Sequence, residues 1–338
     1  VNMKKTASFI ALLLAAAAAP YGVRAIFGLA YSLPYLDLVT GSRIWSISIY
    51  RGPDPFRLSP LTDADIPVLT ANDVDDIPAT MVADPFLARD GGRWFLFFEV
   101  IDRRSDQGDI AVASSSDGLS WNYERVVLNE PFHLSYPYVF SDGGEWFMIP
   151  ESAEAGAVFL YRALDFPGGW VRDTVLIPRP LKDSSIIRHD GTWYIFARGS
   201  NKDLLLYTAP APRGPWREHP KSPLIAGDDD ITRPGGRMIH YRGRVIRFAQ
   251  DGDPVYGNSV RVFIVDRLTP DEYREHESAL SPVVRGTGHG WNQEGMHQVD
   301  AVETEPGRWL AAVDGYPRRT KTIVAGFGPG LRAPRLER

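Results

Sequence analysis

Acidic side chains stand at matching places in this sequence, each at the edge of a short apolar run. Asp84 opens Asp84-Pro85-Phe86-Leu87, and Glu99 closes Trp94-Phe95-Leu96-Phe97-Phe98-Glu99. Glu151 closes Trp146-Phe147-Met148-Ile149-Pro150-Glu151 in the same way, and Asp183 opens Asp183-Ser184-Ser185-Ile186-Ile187. Carboxyl groups converging across a pocket can cleave a glycosidic bond. One activates water or attacks the anomeric carbon, and a protonated partner donates to the leaving oxygen. Crowding several acids raises the pKa of at least one, which produces that donor. On this reading Asp84 is the base, Glu151 the acid, and Asp183 orients and tunes them. The plain alternative is a set of structural ion pairs, Asp84 or Glu151 with Arg198 or Arg233, closing a channel.

A repeated β-unit would bring these residues together. Tight turns at Asp90-Gly91-Gly92-Arg93, Asp142-Gly143-Gly144-Glu145 and His189-Asp190-Gly191-Thr192 each join two apolar runs. Looser copies turn at Arg242-Gly243 and Pro306-Gly307. Such glycines supply the positive φ that hairpins need. A third apolar run follows the first three hairpins, and then a tryptophan: Trp121, Trp170, Trp216. Four short strands recurring at roughly fifty-residue spacing mark a propeller blade. The expected fold is all-β, a five-bladed β-propeller with four-stranded antiparallel blades around a central channel, spanning residues 45–330.

In such a fold the first strand of each blade lines the channel, and the second returns to the same mouth. Residues equidistant from the turn become cross-strand neighbours. This pairs Asp84 with Glu99, Tyr136 with Glu151, Asp183 with Arg198 and His297 with Tyr316, and sets Arg233 opposite the Asp251 region. All ten are expected at one mouth, with Glu99, Tyr136, Arg198, Arg233, Asp251, His297 and Tyr316 contacting the ligand. His297 with Asp300 is the candidate holder of a structural cation such as calcium near the axis. No other cofactor is required by these residues.

Composition narrows the partners. The net charge of −5 argues against a nucleic-acid partner, and the absence of cysteine removes disulfides, thiolate zinc sites and cysteine nucleophiles. The 9 Trp, 14 Tyr and 16 Phe suit both strands and sugar-binding faces. Lys4 and Lys5 precede an apolar run ending in Ala15–Ala19. This reads as a signal peptide or membrane anchor over residues 1–25, giving an exported, periplasmic or extracellular protein with or without a membrane tether. Residues 26–44 read as a linker and 331–338 as a tail. A monomer is expected.

The Asp-led hairpins resemble the five-bladed glycosidases of families 43, 32 and 68. Ala83-Asp84-Pro85-Phe86, Ser135-Tyr136-Pro137-Tyr138, Ile149-Pro150-Glu151-Ser152, Arg233-Pro234-Gly235-Gly236 and Phe248-Ala249-Gln250-Asp251 are similar to a further family. That family is the N-terminal propeller of plant glucosamine inositolphosphorylceramide transferase and its bacterial relatives. The resemblance covers about 45–320 and implies work on a glycan or glycolipid, either as a hydrolase or as a non-catalytic binding module for a partner enzyme. It places Asp84 at the glycosidase base and Asp183 at the modulating aspartate, and likens His297 to the axial histidine of family 43. Two departures stand out: Arg233 occupies a place where the glycosidases carry an acid, and Tyr136-Pro137 replaces an Asp-Pro.

Overall fold

The computed structural model describes residues 34–40, 43–61, 66–317 and 321–327, the first and last of these as backbone only; the leader or anchor expected over 1–25 lies outside them. Residues 44–318 form one compact unit of five sheets. The first blade contains Ala79–Asp90, Arg93–Asp102, Gln107–Ser115 and Asn122–Leu128; the second contains Ser135–Asp142, Glu145–Glu151, Val158–Asp165 and Gly168–Ile177. The third contains Lys182–His189, Thr192–Arg198, Leu204–Ala209 and Arg217–Glu218. The fourth contains Ile239–Tyr241, Arg244–Asp251, Ser259–Leu268 and Tyr273–Glu277, with Val284–Arg285 added beside its third strand. The fold is therefore the five-bladed antiparallel propeller read from the repeat.

The fifth blade is assembled from both ends of the unit. Val299–Glu305 and Arg308–Gly315 form its hairpin, and the third strand is Ser46–Gly52, paired antiparallel to Arg308–Gly315. The ring is thus closed by main-chain hydrogen bonds between segments more than two hundred and fifty residues apart. Pro34–Thr40 pairs antiparallel with Lys321–Phe327 in a two-stranded sheet that belongs to a separate compact unit. No helix among the described residues is long and apolar enough to cross a membrane.

The second strands are nearly unbroken apolar runs because neighbouring blades cover both of their faces. Five hydrophobic clusters fill the spaces between successive blades. Ile49 and Ala312 meet Leu96 and Phe98 between the fifth and first, and Phe97 meets Val139 and Met148 between the first and second. Ile149 meets Ile186 and Ile195 between the second and third, Phe196 meets Val245 between the third and fourth, and Phe248 meets Val299 and Val313 between the fourth and fifth.

The inner strands begin with one distortion used three times. Asp84, Tyr136 and Asp183 have φ values of 54°, 46° and 51°, a region costly for non-glycine residues. At each, two residues of the inner strand oppose one of its partner, as in a β-bulge. The register slips by one: Glu99 pairs with Ala83, Glu151 with Ser135 and Arg198 with Lys182. This corrects the pairing expected from equal distances to the turn, because that arithmetic assumes an uninterrupted ladder. The bulge swings the Asp84, Tyr136 and Asp183 side chains toward the axis.

Candidate functional site at the channel mouth

A chain of hydrogen bonds holds the inner-strand entries around the ring. Asp314, fully buried at the end of the fifth blade's second strand, accepts from the backbone N–H of Asp84 at 3.0 Å, and also from those of His297 and Gln298 at 3.1 and 3.0 Å. Asp84 in turn accepts the Tyr136 N–H through Oδ2 at 3.1 Å. Below this tier Asp300 receives Leu87 N–H at 2.5 Å and Arg237 Nε at 2.7 Å. Arg237 also donates to the carbonyls of Val139 and Leu87. This buried pair spans the axis and ties the first, second, fourth and fifth blades together.

Above it gather the carboxyl groups. Asp84, Glu99 and Glu151 are at most 8% exposed and Asp183 is fully buried. Asp183 takes the Arg233 guanidinium through Nε and Nη2 and the Gln250 amide at 2.8 Å. Burial alone would raise its pKa, but the Arg233 charge and hydrogen bonds hold Asp183 below the ordinary value. Glu151 lies 3.6 Å from Arg233 Nη2, yet burial and then the Asp183 charge push its pKa up to about 8. Asp84 is pushed up to about 7, chiefly by burial, against the pull of His297. Glu99 is raised well above the carboxylate range by burial and by Asp84, Glu151 and Asp183. Asp84 Oδ1 and Glu151 Oε2 are buried oxygens with no hydrogen-bond partner in the protein. One cluster thus sets Asp183, held low by Arg233, beside three carboxyl groups that burial pushes up, Asp84, Glu99 and Glu151.

The remaining expected residues divide. His297 belongs to the cluster: Nδ1 bonds Asp314 Oδ1 at 2.9 Å, Nε2 lies 3.7 Å from Asp84 Oδ1, and the ring stacks on Trp45 with centroids 3.9 Å apart. Burial lowers and Asp314 raises the imidazole pKa, with a net rise. Tyr316 packs edge-on against Trp45, but its backbone pairs with Gly295 and not with His297. Tyr136 forms the floor, its hydroxyl bonded to Gly236 and Ser185. Arg233 is central, whereas Arg198 is turned to Asp229 at the rim. Arg233 backbone meets Gln250, and Asp251 pairs instead with Ser259.

The cation expectation changes partner. Asp300 is held by Arg237, so it is not the companion of His297. Among the described residues, Asp84, His297 and Asp314 are the grouping whose ligand atoms lie within 4.8 Å of one another. Calcium takes six to eight oxygens, and the Asp314 oxygens already accept several N–H groups, so this set does not fit a calcium cage.

Sequence reasoning did not single out Asp314, Trp45, Tyr256 or Gln250. Asp314 closes its apolar run as Glu99 and Glu151 close theirs, a signal that was legible. Trp45 and Tyr256, whose ring lies 5.1 Å from the Arg233 guanidinium, come from connecting segments with no repeat to mark them.

Comparison with known proteins agrees with this frame. Similar solved structures include a β-1,2-mannobiose phosphorylase from Listeria innocua (TM-score 0.57, 16% identity, 79% of this chain and 96% of that one) and a thermostable family-43 glycoside hydrolase (TM-score 0.53, 14% identity, 75% and 93%). These share the fold. Proteins named glucosamine inositolphosphorylceramide transferase 1 are 35% identical over 317 residues in Oryza sativa subsp. japonica and 35% over 295 residues in Arabidopsis thaliana. The alignments cover 86% and 80% of this chain but 43% and 39% of those relatives, so it spans less than half of their length. With residues 39–316 matching the corresponding family model, the chain belongs to the family of the N-terminal domain of glucosamine inositolphosphorylceramide transferase 1.

Proposed function

We propose that the channel mouth binds a glycan and hydrolyses a glycosidic bond. The observation that carries this reading is a buried cluster in which Asp183 is held low while Asp84 and Glu151 are pushed up, each of the latter with an oxygen that makes no hydrogen bond within the protein. Pairs of titratable groups driven apart by their surroundings are how acid and base roles are divided. In the proposed step Asp84 takes a proton from water, whose oxygen bonds to the anomeric carbon. The bond from that carbon to the leaving oxygen breaks, and Glu151 supplies the proton that oxygen needs. Asp183, kept ionised by Arg233, favours the protonated form of Glu151 beforehand through its charge. The guanidinium of Arg233 cannot act as the acid at neutral pH, so the donor role passes to Glu151. The Lys4-Lys5 pair ahead of an apolar run supports an exported location, with or without a membrane tether.

A second reading is favoured by the relatives' names and by the length they have beyond this chain: a propeller that presents a glycan to a partner enzyme without cleaving it. Reducing-end release from a panel of furanosidic and pyranosidic glycans separates the two. Release by the wild type supports hydrolysis, and binding without release supports presentation.

A further inference from the structure

The mouth contains a fourth acid that the proposed step does not use. Glu99 lies in the first blade's second strand, three residues before its end, and its Oε1 lies 3.3 Å from Nε2 of His133, a half-exposed residue in the link between the first two blades. The tautomer of His133 is fixed from its other side, because the Gly108 N–H reaches His133 Nδ1 at 3.1 Å. An imidazole that accepts at Nδ1 carries its proton on Nε2, so His133 turns its Nε2–H side to Glu99 Oε1. Gly108 is also the space in which the pair fits. A Cβ there would lie 2.9 Å from Glu99 Oε1 and 2.7 Å from His133 Cε1, and would collide with the Leu134 carbonyl. The His133 backbone N–H is tied in turn to Glu154 at 2.8 Å.

We propose that Glu99 serves the channel as a neutral carboxylic acid donating a hydrogen bond to a sugar oxygen, and that Gly108 and His133 are the device that positions it. With Oε1 engaged by His133, the acid proton resides on Oε2. The charged groups acting on Glu99 are Asp84 of its own blade, Glu151 and Asp183 of the next two, and Arg233 at the entry to the fourth. Burial comes first in favouring the uncharged form, and any negative charge on Asp84, Glu151 or Asp183 adds to it against the pull of Arg233. The ligand this suits is a neutral sugar presenting a hydroxyl or acetal oxygen as acceptor. The inference rests on the glycan reading above for its ligand, but not for its protonation state.

The test therefore has two arms on the full chain. Infrared difference spectra of wild type minus Glu99→Gln isolate the carboxylic-acid band of Glu99, which is expected to persist at pH 7. His133→Ala removes a donor that favours the carboxylate, so it should move the loss of that band to higher pH, and His133→Gln should restore it. A band absent at pH 7, or a titration unmoved by His133→Ala, overturns the proposal. In the second arm, binding of the neutral oligosaccharides of the glycan panel is followed from pH 6 to 10. Wild-type affinity should fall about tenfold further than that of Glu99→Gln, the loss of one hydrogen bond, and the decline that Glu99→Gln retains belongs to Asp84 and Glu151, which titrate in the same range. A decline unchanged in Glu99→Gln overturns the ligand role. Failure of the wild type to bind any panel member overturns it together with the glycan reading, while the infrared arm still decides the protonation of Glu99.

Discussion

Replacing Glu151 with glutamine should make the protein more stable in alkaline solution and change it little in acid. Glutamine has the shape of protonated glutamate and can still donate toward Asp183. The wild-type carboxyl is raised in the fold from 4.5 to about 8. At 1.36 kcal/mol per pKa unit that difference corresponds to about 3–5 kcal/mol. The sign follows from proton binding: between about pH 4 and 8 the native state keeps a proton that the unfolded chain has released, so stability declines as pH rises through that window and is level beyond it. Glutamine has no such proton to lose. Guanidinium chloride unfolding at pH 5 and pH 9, followed by tryptophan fluorescence, should show the variant gaining on the wild type between the two conditions. An equal difference at both pH values would refute the claim that Glu151 is buried among negative charges.

Removing Arg233 with Arg233→Leu leaves Asp183 buried and ionised with Gln250 as its remaining side-chain donor, and should cost about 3–5 kcal/mol; adding Asp183→Asn should recover part of it. Thermal melts of the single and double variants check this. Gly236→Ala should lose about 2–4 kcal/mol, since φ there is 144° and a Cβ would strike the Val299 carbonyl; circular dichroism against denaturant measures it. Calcium and chelator should leave the melting temperature unchanged, because Asp314 spends its oxygens on N–H groups. A rise with calcium would contradict that assignment.

The fold was legible because turn glycines and apolar runs recur at roughly fifty-residue spacing, and that repeat needs no long-range information. The site was legible in outline: polar residues at strand ends, amid apolar neighbours, placed Asp84, Glu151, Asp183, Arg233 and His297 at one mouth. What a linear reading misses is the bulge after Ala83, Ser135 and Lys182, which shifts every pairing beyond it by one residue. Ring closure by Ser46–Gly52 was equally hidden, since a strand donated from the other end of the chain leaves no local mark. Arg198 shows the same limit. It closes its apolar run as Glu99 and Glu151 do, yet its side chain pairs with Asp229, from a loop outside the repeat.

The pH dependence of kcat/KM for a glycan cleaved in the panel bears most directly on the proposed chemistry. It reports the free protein's essential base and acid. The account predicts a bell, rising as Asp84 ionises near pH 7 and falling as Glu151 loses its proton near pH 8, with activity collapsing in Asp84→Asn and Glu151→Gln. A profile without these limbs, or hydrolysis that survives both substitutions, would contradict it.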